Sequence, residues 1–166
     1  MNAVESRWTS QQSNRSARLA RAGQALGDAL NGKVVEAARI VDLLHAVLEP
    51  GDRVCLEGNN QKQADFLGKA LTRLDPQRVN NLHMLLSVLS LPEHLDVFDK
   101  GIAGRLDFSF SGPQAGRLAK LAQTGKLNIG AIHTYLELFA RYFIDLTPRV
   151  ALVAAEMADR EGNLYT

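Results

Sequence analysis

Between residues 17 and 30 the apolar side chains Leu19, Ala22, Leu26 and Leu30 return every three or four positions with arginines between them. That is the spacing of an amphipathic helix beginning near Ser16. Asn31-Gly32 stops the pattern, and it resumes over 35–48, where Ile40, Val41, Leu44, Val47 and Leu48 share one side of a second helix. Glu49-Pro50-Gly51-Asp52 then turns the chain, and the period changes. Short, nearly unbroken apolar runs at 54–57, 82–89, 106–110, 128–133 and 150–157 alternate with helical stretches at about 61–74, 92–99, 113–123 and 135–145. Pro92 and Pro113 suit first helical positions, and Thr134 with Glu137 makes a T-x-x-E capping box. Apolar strands separated by helices are what a mainly parallel sheet with helices on both faces requires. The expected class is therefore a doubly wound α/β layer over residues 16–166. No internal repeat supports a solenoid.

Residues 1–15 are rich in Ser, Gln and Asn around a lone Trp8, and read as a flexible arm whose tryptophan docks on a neighbouring surface. At the other end, a predicted strand is followed only by residues 158–166, so the chain reads as cut in mid-architecture. The length of 166 residues suits a single domain with its own core. The 19 basic and 18 acidic side chains nearly cancel, which removes the broad field that captures nucleic acid or anionic membrane. Any phosphate must be held locally. The single cysteine, Cys55, falls inside an apolar run, where it reads as a small buried side chain in a reducing, cytoplasmic compartment. Neither a signal peptide nor an apolar stretch of roughly 18 residues is present, so no membrane partner is expected.

In open parallel sheets, ligands gather beyond the carboxyl ends of the strands, which directs attention to the residues just after each run. After the first come Glu57, Gly58, Asn59, Asn60, Gln61 and Gln63. A strand running directly into a helix exposes backbone donors at the helix N-terminus, suited to an anionic or amide-rich ligand. Gly58 can take a positive φ there. Asn60 and Gln63 make a box-like cap, a role they fill equally well without any ligand. Glu93 and His94 follow the second run. Ser111, Gly112 and Gln114 follow the third at a second helix start, where simple turn chemistry is the competing reading. His133 ends the fourth, as a hydrogen-bonding imidazole, a base, or a satisfied structural histidine. His45 and His83 read as packing or surface residues. Glu57 and Glu156, at strand ends, could be nucleophile or base if desolvated, or paired structural acids, and spacing leaves both roles open. No ligand spacing suggests a metal, and the nucleophile elbow, phosphate loop and dinucleotide fingerprint are missing from the sequence.

Longer strings carry more specific information: LEPGDRVCLEGNNQKQADFL, LPEHLDVFDKGIA, LDFSFSGPQ, GAIHTYLELFARYFIDLTP and ADREGNLYT. Together they resemble the α subunits of malonate decarboxylases, a family of acyl-carrier-protein transferases related to citrate lyase α chains and, more distantly, to family I coenzyme A transferases. The resemblance runs from about Trp8 to Thr166. It implies acyl exchange in a multisubunit complex, malonate displacing acetate from a thioester on an acyl carrier protein, with decarboxylation left to other subunits. The thiol would belong to a coenzyme-A-like prosthetic arm on the carrier protein, and the Gly58-Asn59-Asn60 turn would recognise its amides. The family's acyl-accepting glutamate normally lies in the second half of the chain, beyond Thr166. The resemblance thus implies an N-terminal domain that awaits its C-terminal half, and it predicts an exposed apolar face where that half packs. The alternatives are a non-catalytic module that docks carrier protein, or a sugar-phosphate-isomerase-like binder using His133 and a phosphate nest at Gly58.

Overall fold

The computed structural model describes residues 3–31, 33–58 and 64–165. Helix α1 (Ala3–Leu26) passes through a 3-10 turn into a hairpin, β1 (Leu30–Asn31) and β2 (Val34–Val35), and a second 3-10 turn opens α2 (Ile40–Val47). A regular alternation follows: β3 (Arg53–Glu57), α3 (Asp65–Leu71), β4 (Leu82–Val88), α4 (Glu93–Asp99), β5 (Ala103–Phe110), α5 (Ala115–Gln123), β6 (Asn128–Ile132), α6 (Tyr135–Ile144) and β7 (Val150–Val153). A short hairpin, β8 (Met157–Ala158) and β9 (Leu164–Tyr165), comes last. The five longer strands make one sheet in the order β6-β5-β4-β3-β7, with every neighbouring pair parallel. The expected α/β layer is the observed one.

Strand alternation sorts the side chains onto two unlike faces. Val54 and Leu56, Met84 and Leu86, and Leu106 and Phe108 meet Leu44, Leu71, Leu95, Phe98, Leu118 and Leu121, so α2 to α5 cover one face with the main core. The centre lies under β4, where Leu82 and Leu86 have no exposed surface. Burying each such leucine contributes about 2 kcal/mol. The opposite face has a much smaller core, Cys55 and Leu85 against Leu138, Leu146 and Tyr142. Its other alternating positions in the middle of β3, β4 and β5 are polar. In register across the strands come Arg53, His83 and Arg105, then Cys55, Leu85 and Asp107.

Helix α6 covers that polar face and carries apolar side chains on both of its own sides. Leu138 is buried, while Tyr135, Leu136, Phe139, Phe143 and Ile144 are exposed, Leu136 at 80 % and Phe143 at 76 %. The Phe139 and Phe143 rings stack edge to face at 5.3 Å. A helix apolar all round belongs between two layers.

Three expectations need correction. Residues 3–15, expected within a flexible arm, are helical: α1 is continuous from Ala3, because propagation from a docked C-terminal half costs little and Glu, Gln, Arg and Ala favour helix. Its anchor is Arg18 with Ala22 and Leu26, all buried. The side chain of Trp8, expected to dock, lies outside the described set. The strand expected over 150–157 ends at Val153, and the chain re-enters extended structure only at Met157. The second helix begins at Ile40, behind the 3-10 turn Ala37–Arg39. The T-x-x-E box is as read: Thr134 Oγ1 accepts from the Glu137 N–H at 3.1 Å.

Candidate functional site

From β3 to β6 each new strand is added on the same side, and α6 then carries the chain back to set β7 on the other flank of β3. The strand order therefore reverses between β3 and β7, and the carboxyl ends of these two strands frame the crevice where open α/β sheets take ligands. Glu57 pairs with Val153 there, and its carbonyl accepts the Ala154 N–H at 3.0 Å. Gly58 follows directly. Asn59, Asn60, Gln61 and Gln63, the other candidates of this loop, lie outside the described residues. Among the described residues Gly51 and Gly112 are glycines with positive φ.

The Glu57 carboxylate is pinned from two elements. Ser87 Oγ, near the end of β4, donates to Oε2 at 2.6 Å, and the Tyr142 hydroxyl, on α6, donates to Oε1 at 2.7 Å. Cys55 Sγ lies 3.7 Å from both Glu57 Oε1 and the Tyr142 hydroxyl. Burial, with Glu57 adding to it, pushes the Cys55 thiol up to about 12. Burial also raises Tyr142, helped by the neighbouring Cys55 and Glu57. Both groups stay protonated near neutrality. Tyr142 serves as a donor, and the Glu57 carboxylate is an acceptor fixed from two elements, with Oε2 met by Ser87 alone among the described residues.

A second polar cluster crosses the same face lower in the sheet. Asp107, buried in β5, accepts from His83 Nε2 at 2.7 Å through Oδ2, and its Oδ1 lies 2.8 Å from His133 Nε2. Arg105 Nε stands 3.6 Å away. Burial works against ionisation of Asp107, but the hydrogen bonds from His133 and His83 win and hold its carboxyl below the usual range. Burial, with Arg105 and Arg53 adding to it, lowers His83 against the opposing pull of Asp107, so His83 is a neutral donor. His133, a candidate from the sequence, is buried, with Nδ1 3.2 Å from Glu137 Oε1 in addition to its Asp107 contact. Nε2 is engaged by Asp107, while Nδ1 makes no hydrogen bond of regular geometry among the described residues.

Ser111 and Gln114 flank the 3-10 turn Gly112–Gln114 that leads into α5, and the Gln114 N–H bonds back to the Ser111 carbonyl at 3.1 Å. Gly112 has φ +49°, and a Cβ there would meet the Phe110 ring at 3.3 Å. Among the described residues no hydrogen bond joins this turn to Glu57. His94, at the start of α4, is buried without a hydrogen bond of regular geometry to either ring nitrogen, and burial lowers its pKa against the opposing influence of Glu93 and the Val88 backbone. Glu156 is exposed, its N–H on the Tyr165 carbonyl at 3.1 Å. Sequence reading passed over Ser87, Asp107 and Tyr142 and set His83 aside. Asp107 offered a signal, an acid in the middle of an apolar strand, whereas Ser87 and Tyr142 are recognisable only from what they face.

A family profile described as malonate decarboxylase, alpha subunit, transporter, matches residues 7–166. The chain belongs to the malonate decarboxylase α-subunit family. Over 134 residues it is 60% identical to the acetyl-S-ACP:malonate ACP transferase of Malonomonas rubra, covering 81% of this chain and 24% of that protein. Its fold matches a malonate decarboxylase α subunit from Acinetobacter baumannii at TM-score 0.87 and 47% identity, over 93% of this chain and 28% of that one. A Pseudomonas malonate decarboxylase hetero-tetramer in complex with malonate matches at TM-score 0.85 and 51% identity, over 94% of this chain and 28% of the matched chain. The chain thus spans about a quarter of the length of these relatives. Within the family, the parallel layer and its switch-point crevice form one part of a larger subunit. Among the described residues no helix is long and apolar enough to cross a membrane.

Proposed function

We propose that this chain is the N-terminal domain of an acetyl-S-ACP:malonate ACP transferase, which exchanges acetyl for malonyl on a carrier-protein thioester. The observation that carries the reading is the 60% identity to a transferase of that activity. In the exchange, the acetyl–sulfur bond breaks and a malonyl–sulfur bond forms, one malonate carboxylate oxygen passing to the acetyl carbon so that acetate leaves, with no change of oxidation state. The coenzyme-A-like arm arrives on the carrier protein as substrate. Its amide N–H groups are the natural partners of the acceptor at Glu57, at the mouth of the crevice where Gly58 begins the loop.

The nucleophile of such an exchange would come from the part of the family's length that this chain does not span. The apolar outer side of α6 supports that division: it has the composition of a buried interface, and the rest of the transferase is its intended cover. Carrier protein and the other decarboxylase subunits are the expected partners. The deciding assay is acetyl-to-malonyl exchange on loaded carrier protein, run on the 166-residue chain and on the full-length subunit. Exchange by the full-length protein alone is the expected result. Turnover by the short chain would move the nucleophile into it, at Glu57 or Glu156. A short chain that binds carrier protein while neither protein exchanges would favour a docking module.

A further inference from the structure

A cavity of about 300 Å3 opens between α1, the end of α2 and the start of β7, at the amino ends of the strands and so at the opposite edge from the switch-point crevice. Leu19, Val47 and Val150 supply apolar wall, and three arginines, Arg15, Arg18 and Arg149, reach the same space. No acidic residue lines it.

The arginines are not equivalent. Arg18 is buried and spends all five of its N–H donors within the fold. Nε bonds Asn14 Oδ1 at 2.5 Å, Nη1 bonds the Val47 carbonyl and Asp52 Oδ2 at 2.5 Å each, and Nη2 bonds Glu49 Oε2 at 2.8 Å and Asp52 Oδ1 at 3.0 Å. It is part of the wall. Elsewhere on the surface, Arg21, Arg39, Arg117 and Arg141 each hold a carboxylate. Among the described residues, Arg15 and Arg149 hold none. Two exposed arginines that hold no carboxylate thus line a concave site whose surface is largely apolar, beside the saturated Arg18 hub.

We propose that this cavity binds a small organic oxyanion, a carboxylate or phosphate ester with a short apolar body, the anionic end held by Arg15 and Arg149. Planar guanidiniums match two-oxygen anions in a way that a surface ammonium does not. The volume sits at the small end of ligand cavities, which limits the occupant to a compact molecule. The inference rests on the cavity and its charge, and does not depend on the transferase reading.

The test is a titration of the isotopically labelled 166-residue chain with sodium phosphate, butyrate and malonate, with butyramide as the uncharged control, at constant ionic strength. At least one anion should saturate with a Kd of about 1 mM or tighter, shift the Arg15 and Arg149 Nε–H signals, and leave butyramide without effect. The double variant R15A/R149A should weaken that binding at least about tenfold. Butyrate or malonate binding would mark a carboxylate site, and phosphate binding alone a phosphate-ester site. No saturation by any of the anions, shifts confined to other surfaces, or undiminished binding in the double variant would overturn the proposal. The signal map of the unmodified chain decides the matter even where the variants fold poorly.

Discussion

Gly130 leaves open the space that the Asp107 carboxylate fills: a Cβ at position 130 would lie 2.0 Å from Asp107 Oδ2 and 2.8 Å from Arg105 Nε. The β5–β6 register slips between Leu106 and Asp107, so that Asp107 pairs with Ala131 and Gly130 becomes the extra residue of a bulge. The missing side chain and the irregular strand together admit a buried carboxylate into the middle of a sheet. Replacement by alanine pushes a methyl group into a hydrogen-bonded anion, whose neighbours are two imidazoles. Gly130→Ala should lose about 3 kcal/mol of stability, combining overpacking with a disturbed buried charge. Urea unfolding checks it, and a loss under about 1 kcal/mol would mean the bulge yields easily.

Arg18 fixes α1 to the turn before β3. Arg18→Met keeps much of the volume but strands Asp52, which is 7 % exposed and also accepts the Glu49 N–H. The expected cost is about 3 kcal/mol, as for other broken buried pairs. Adding Asp52→Asn to Arg18→Met should recover part of the loss, a recovery that simple loss of packing would not give. Parallel urea curves for the two variants measure it.

Stability should fall as the solution is acidified from neutrality. His83 and His94 both have pKa values lowered from the ordinary 6.5, chiefly by burial. Above that value the imidazoles are neutral in folded and unfolded chains alike. Below it the unfolded chain takes up protons that the folded one refuses, so unfolding gains about 1.4 kcal/mol per pH unit for each histidine. Asp107, also lowered, adds its loss only as pH falls past the ordinary 3.8. Melting points taken at pH 7.5 and 5.5 should drop with acid, and His94→Asn should flatten the slope while lowering stability overall. An unmodified chain with equal melting points at both values would contradict this account.

Cys55, with its thiol pushed up to about 12 and its side chain buried, should not react with a neutral-pH thiol reagent in the folded state. Labelling should wait for unfolding and follow the denaturation curve. Fast labelling of the native chain would place the thiol in solvent. Tyr142→Phe, which removes a hydroxyl 3.7 Å from the sulfur whose hydrogen bond opposes the rise, should label no faster in the folded state than the unmodified chain.

The α/β layer was legible because short strand-like runs alternate with helical stretches along the chain, and because the Thr134 and Glu137 box is a local signal that needs no tertiary context. Arg18 shows what was not legible: it reads as one of several arginines on a polar helix, and only the fold delivers Asp52 and Glu49 to it across some thirty residues. The same holds at the crevice. Glu57 was visible as a carboxylate at a strand end, but its donors come from β4 and α6 and follow no spacing in the chain. His133 looked available because it ends a strand, and Asp107, an acid that an apolar strand hides well, is what claims it.

The two unequal cores have a dynamic consequence. One face of the sheet rests on an extensive apolar cluster and the other on a handful of residues beneath α6. Opening should therefore be lopsided: α6 can lift from its polar bed while β4 and its helices remain shut, since few apolar contacts resist the first event and many resist the second. Amides of α6 should then exchange with solvent through a low-energy excursion, and those of β4 only with global unfolding. Anything that seats on the outer rings of α6 would close that shutter and, through Tyr142, hold Glu57 still.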